Sequence, residues 1–382
     1  MKRFFPRMGG RRIAAWLCIL GLGTIFSGES RADWKTDWEK AVAAAKKEGR
    51  FNFYVGRYGT EPLLNEFRRD YPEIKIISVN GTGNSLGTRI LTEIRAGKVV
   101  ADLYSGGANT NYEILYKGKA LESIKSALIL PEVIDESKWY GGQQRYTDPE
   151  QKFIFVYIAT PSSSGFYYNT KLVNPQEFKS YWDLVNSKWK GRYVSQEPTS
   201  TGLGGGLQFY YYNPELGPEF IKRLFGDMQP VFGRDRRQIT DWLAQGRFAL
   251  CVGCRETNRA KGQGLPVDEL ESTDWKEGIE LTSGGGSISL VKGGPNPNAA
   301  KVFINWFLSR KGQTALQKYA DLYGEEPPNS RRIDIPKDML PPSSRLVPGK
   351  KYFDVSDPKY ADMEPIFKLV KELVKGREQK KE

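Results

Sequence analysis

The chain has 382 residues, 39% hydrophobic and 13% aromatic, with no histidine and a formal charge of +12. That suffices for one large domain or two ordinary ones and argues against wholesale disorder. Without histidine no Ser–His–Asp or Cys–His catalytic arrangement can be built. The basic residues are spread among acids rather than gathered in the stripe that a nucleic-acid surface needs.

Residues 1–32 carry six basic side chains and one acid, so +5 of the charge lies there and +7 remains for the rest. A basic start, the apolar run Ile13–Phe26 and Ser30-Arg31-Ala32 before Asp33 read as a secretory signal cleaved near Ala32. The run is 14 residues long, short of the roughly 20 that a membrane span needs. Cys18 follows Leu17, where a lipoprotein signal would want a small residue. The expectation is a soluble exported protein.

From Asp33 strands and helices alternate. Trp38, Val42 and Ala45 share a helical face that Gly49 ends. The strand 51–55 leads through GRYGT to a helix bearing Leu64, Phe67 and Tyr71, with Thr60 as cap and Pro62 in its first turn. The strand 74–79 leads through NGTGNS to a helix from about Leu86 to Arg95, and VADLY (100–104) ends in SGGANTN. Three such units predict a mostly parallel sheet with covered faces. An aromatic strand is expected at 153–159. A second α/β unit follows from about 165 to 285, with the loop EPTSTGLGGG and helices near 215–226 and at Ile239, Trp242 and Leu243. A long helical stretch is expected over 298–319, and an amphipathic helix at the carboxyl end.

RFALCVGCRETNR (247–259) is the most polar strand end in the chain. Phe248, Leu250 and Val252 alternate as a strand, and Cys254, Arg255, Glu256 and Thr257 fall at its carboxyl edge, where ligands sit in open α/β sheets. Along an extended strand Cys251 and Cys254 would lie roughly 10 Å apart, and a disulfide needs Cα atoms within about 7 Å. A bridge therefore requires a turn at Gly253; the expectation is two free or loosely paired cysteines. GTGNSLG (81–87) is one residue too long for a dinucleotide loop and reads better as backbone donors at a helix start, suited to an oxyanion.

The helix–Ser-x-x-Gly-Gln–helix pattern AAKVFINWFLSRKGQTALQK (299–318) resembles the periplasmic solute-binding proteins of ABC importers, in the group with ferric-iron, thiamine and phosphonate binders. YYNTKLV (167–173), YWDLVNSKWKGRYV (181–194) and ADLYSGG (101–107) join it. The resemblance implies a two-lobe α/β periplasmic-binding-protein fold, each lobe a mostly parallel sheet flanked by helices, with crossings near 159–166 and 284–292. The implied domains are the signal 1–32, a first lobe of 33–160 and 290–382, and a second of 161–289. The implied ligand-binding loops hold Arg57, Tyr58, Thr60, Thr82, Asn84, Ser85, Ser105, Asn109, Thr199, Ser200, Thr201, Cys254, Arg255 and Glu256.

Where iron-binding members carry two adjacent tyrosines after this strand, the chain has Glu256 and Thr257. The expected ligand is a small anionic or zwitterionic solute, passed by a monomeric periplasmic protein to a membrane permease, with no cofactor, no resident metal and no nucleic acid. Ferric iron is the alternative cargo, and an exported enzyme with a Cys254 nucleophile is the alternative of another class.

Overall fold

The computed structural model describes residues 29–163, 165–199, 203–254, 257–319 and 327–378. The basic start and apolar run of the expected signal lie outside them. No described helix is long and apolar enough to cross a membrane.

The first units follow the expected order: α1 (Glu29–Glu48), β1 (Arg50–Val55), α2 (Glu61–Asp70), β2 (Lys75–Asn80), α3 (Gly83–Arg95) and β3 (Leu103–Gly106). Next come α4 (Ala108–Thr110), continued by a π-helical turn over 111–116, then β4 (Leu121–Glu122), α5 (Pro131–Ile134) and β5 (Phe155–Val156). The chain leaves this body through β6 (Thr160–Ser162). It builds the next from β7 (Phe166–Asn169), β8 (Tyr193–Gln196), α6 (Gly204–Tyr212), α7 (Gly217–Lys222), β9 (Val231–Gly233), α8 (Arg236–Ala244), β10 (Leu250–Val252), α9 (Thr257–Gly262) and β11 (Val267–Glu269). It returns through β12 (Ile279–Thr282) to β13 (Ser287–Val291), α10 (Pro297–Leu308) and α11 (Arg310–Tyr319), and ends with β14 (Tyr352–Asp354) and α12 (Glu364–Glu378).

Among the described residues the strands form two larger sheets and a small one. The first runs β2-β1-β3-β13-β4, with β5 also on β13, the second β11-β7-β10-β8-β9, and the third β14-β12-β6. β1 pairs in parallel with β2 and β3, and β8 with β9 and β10. The return strand β13 and the entry strand β7 run antiparallel to their neighbours. Each expected parallel sheet is thus a parallel trio extended by antiparallel strands where the chain arrives from the other body.

Each larger sheet has its own apolar core. In the first, Phe303 of α10 packs at 4.9 Å from Phe51 and 5.1 Å from both Phe53 and Phe67. In the second, Phe166, Tyr181, Tyr210 and Phe220 interlock. The expected long helix over 298–319 breaks at Ser309, whose Oγ accepts from the Gly312 amide at 3.2 Å. A methyl group at Gly312 would lie 2.2 Å from the Trp306 carbonyl, so glycine lets α11 start tightly against α10. Gln313 Nε2 donates to the Phe307 carbonyl at 2.8 Å. The Ser-x-x-Gly-Gln pattern is therefore the joint between two helices.

Two expectations about the crossings change. The return crossing is β12, earlier than 284–292, because Gly284 and Gly285 (φ 54° and 97°) turn the chain so that 287–291 already belongs to the first sheet. A third crossing exists: β14 pairs with β12, and α12 packs on α7 and the turn at 223–227, with Ile366 and Val370 in the second core. The C-terminal helix thus lies on the second body, whereas 290–382 was expected to stay with the first. Residues 360–363 are held by both. Glu113 accepts from the Met363 amide and Lys117 reaches Asp362, while Gln208 and Tyr212 donate to the Tyr360 and Asp362 carbonyls.

Candidate functional site

The carboxyl ends of β1 and β3 meet the start of α3 on one side of the cleft between the bodies. After β1, Tyr58 takes a left-handed conformation (φ 63°) that side chains rarely adopt. The Tyr58 hydroxyl and Arg57 Nη1 each donate to the Gly284 carbonyl at 3.0 Å, and the guanidinium stacks on the Tyr58 ring. These two residues therefore clasp the turn between β12 and β13. Thr60 is buried and donates to the Tyr319 carbonyl. Ser105 is also buried and shares a 2.8 Å hydrogen bond with Tyr157.

The second loop caps its helix. Thr82 Oγ1 accepts from the Ser85 amide at 3.3 Å, and Ser85 Oγ returns a bond to the Thr82 carbonyl at 2.9 Å. Thr110 Oγ1 donates to Asn84 Oδ1 at 3.5 Å, tying α4 to α3. Between them lies the Tyr104 hydroxyl, on a fully buried ring within β3. A methyl group at Gly83 would lie 3.1 Å from it, and one at Gly106 would lie 2.3 Å away. No described group hydrogen-bonds that hydroxyl. Burial pushes its pKa well above the ordinary tyrosine range, so it stays a proton donor.

On the opposite side, α6 opens with Gly204, Gly205 and Gly206. A methyl group at Gly204 would lie 2.6 Å from Asn109 Nδ2, so Asn109 reaches across to the second body. Thr199 donates to Glu197 Oε1 at 3.1 Å. Ser200, Thr201, Arg255 and Glu256 lie outside the described residues.

The cysteine expectation is overturned: Cys251 and Cys254 form a disulfide with Cα atoms 6.0 Å apart. Gly253, at φ 72°, supplies the turn that an extended strand lacks. Both cysteines are buried, and a bridged Cys254 has no thiolate to serve as the nucleophile of the enzyme alternative.

Thr82, Asn84 and Ser85 are thus gathered around the start of α3 and Asn109 lies against Gly204 at the start of α6, while Arg57 and Tyr58 grip the crossing and Thr60 and Ser105 turn inward. Residue-by-residue reading passed over Thr110 and left Tyr104 out of the ligand-binding set. Among the described residues no group of three or more His, Cys, Asp or Glu side chains could hold a metal. Burial raises the pKa of both Tyr104 and Tyr157, against the phenolate form in the empty protein.

The described residues form two α/β bodies joined by the crossing strands β6, β12 and β14, a two-lobe architecture. The family model for bacterial extracellular solute-binding proteins matches residues 54–314, more than half of the chain, which belongs to that family. Among solved structures it is similar to the Trichodesmium protein IdiA (FutA) in complex with iron and citrate, at 16% identity and TM-score 0.61 over 85% of this chain and 99% of that one. AfuA from Actinobacillus pleuropneumoniae, with exogenous fructose-6-phosphate bound, matches at 19% and 0.60 over 86% and 98%. The ferric binding protein from Campylobacter jejuni matches at 17% and 0.59 over 85% and 97%. At such identities the likeness carries the fold.

Proposed function

We propose that this solute-binding protein captures a small organic solute with at least one anionic group and delivers it to the permease of an ABC importer. The observation that carries the anionic part is the Tyr104 hydroxyl: buried, protonated, without a described partner, and set against Gly83 at the start of α3. A hydroxyl donor beside the positive end of a 13-residue helix suits an oxyanion. Thr82, Asn84 and Ser85 border that position, and Asn109 faces Gly204. The lobes are organised about the two larger sheets: 33–160 with the segment returning at β13 on one side, and the chain from 161 to β12 joined by α12 on the other. The mature protein starts near Asp33, works as a periplasmic monomer, and binds no nucleic acid.

The neighbours named for iron favour ferric cargo as the second reading, with Tyr58 and Tyr104 as donors. Native mass spectrometry of freshly exported protein tests both. An organic anion retained at one per chain supports the first reading. A visible charge-transfer band on stoichiometric ferric ion, surviving citrate competition, overturns it.

A further inference from the structure

The helical segment made of α4 and its π-helical turn sets Asn109, Glu113 and Lys117 four residues apart along one face. That face meets the second body at three places. A methyl group at Gly204 would lie 2.6 Å from Asn109 Nδ2 and 4.0 Å from Met363 Cε. Glu113 Oε1 accepts from the Met363 amide at 3.0 Å. Lys117 Nζ donates to Asp362 Oδ1 at 3.0 Å and to Glu113 Oε2 at 2.7 Å. Met363, Ile366 and Val370 are buried in the second core, whereas Ala361 is buried with Tyr112 and Leu115 of the first body. The chain therefore changes bodies at Asp362, and the amide that Glu113 holds moves with α12. Asp362 accepts from the Glu364 amide at 3.1 Å, as α12's own cap. The donor just before it, on Met363, is met by a carboxylate from the other body, at the end of the helix where negative charge is favourable. Burial opposes the charge on Lys117, but its hydrogen bonds to Glu113 and Asp362 outweigh burial and raise its pKa. The ammonium thus stays charged and fixes both carboxylates.

We infer that Glu113 and Lys117 form a closure latch: with the bodies together they secure the start of α12 across the junction, and opening has to break the Glu113–Met363 bond. Strands β6, β12 and β14 tether the bodies and leave them free to rotate; the latch biases the empty protein toward the shut arrangement. Lys117 acts as a positioning residue, holding Glu113 toward Met363. The device works for any solute and does not depend on the solute's charge. Its loss lowers affinity by the fraction of protein that no longer rests in the closed form.

The test needs no ligand. Small-angle X-ray scattering of the empty protein reads closure, and amide exchange followed by mass spectrometry over 361–366 reads the bond at α12. Lys117→Glu and Asp362→Lys each bring like charges together at the junction. Both are expected to show a larger radius of gyration than wild type, with exchange at the start of α12 about tenfold faster. The reversed pair, Lys117→Glu with Asp362→Lys in one chain, is expected to bring both readings back toward wild type. Radii equal to wild type in both single variants, whatever their exchange rates, overturn the latch, because the contacts would then only brace the helix. A reversed pair as open as the single variants overturns it too. Should a charge reversal unfold the chain, Glu113→Gln decides: it keeps an acceptor for the Met363 amide and removes the charge beside Lys117. A larger radius in Glu113→Gln upholds the latch and an unchanged one overturns it.

Discussion

Replacing Tyr104 by phenylalanine separates a ligand-directed hydroxyl from a structural one, because the two roles predict opposite effects on the empty protein. The ring stays in its buried place and only the oxygen leaves. A buried hydroxyl without a partner costs about 1–3 kcal/mol, and the lower end is taken for Tyr104, which packs beside Gly83 and Gly106. Tyr104→Phe should therefore stabilise the ligand-free protein by about 1 kcal/mol. With an unfolding entropy of about 2 cal/mol/K per residue over this length, the melting temperature rises by about 1–2 °C. Binding should move the other way: a hydrogen bond to a charged group contributes about 1.5–3 kcal/mol, so affinity for an anionic solute falls roughly ten- to hundredfold. Scanning calorimetry of empty protein and titration with one anionic probe give both numbers. A variant that melts lower while binding as tightly as wild type would show that the hydroxyl serves the fold, and the anionic reading would lose its main support.

Unfolded protein should contain no titratable thiol once the signal and Cys18 are removed. Cys254→Ser should lose about 2 kcal/mol in a urea melt, as expected for a four-residue loop; two reactive thiols per chain would contradict the bridge. Gly205→Ala should cost about 1–3 kcal/mol through overpacking against Glu280, and Glu280→Ala in the same chain should recover about 1 kcal/mol of it. Additive losses in that cycle would mean that the two residues are not in contact. Asp354 joins Arg331 at 2.8 Å and Arg145 at 3.2 Å beside the third crossing. Burial raises its pKa, but the two guanidinium groups outweigh burial and hold the carboxyl below its ordinary range. A depressed carboxyl stabilises above its unfolded pKa of about 3.9 and loses that contribution as pH falls through the folded value. Asp354→Asn should therefore cost about 3 kcal/mol near neutral pH and show a flatter stability curve in acid; parallel curves for variant and wild type would refute the network.

Local pattern alone determined much of this protein. The alternation of strands and helices from β1 to β3 was legible because each apolar period and each glycine or threonine boundary is set within a few residues. The Ser309-x-x-Gly312-Gln313 joint was legible only through the family resemblance, since the local pattern read 298–319 as one long helical stretch. The polar loops at the strand ends were legible from the pattern, since a parallel trio brings all its carboxyl ends to one edge. What only the tertiary structure decided depends on partners distant in sequence. Gly253 was free on paper to continue the strand; its left-handed turn, with Leu203 and Gln196 packed against it, brings Cys251 and Cys254 together. Thr60 and Ser105 read as cleft hydroxyls until Tyr319 and Tyr157 claimed them. The side of the molecule taken by α12 rests on an apolar stripe that either core would accept; pairing of β14 with β12 delivers it to the second. Glu280 is one carboxylate among many in the chain, and its place beneath Gly205 exists only because a crossing strand runs under the start of α6.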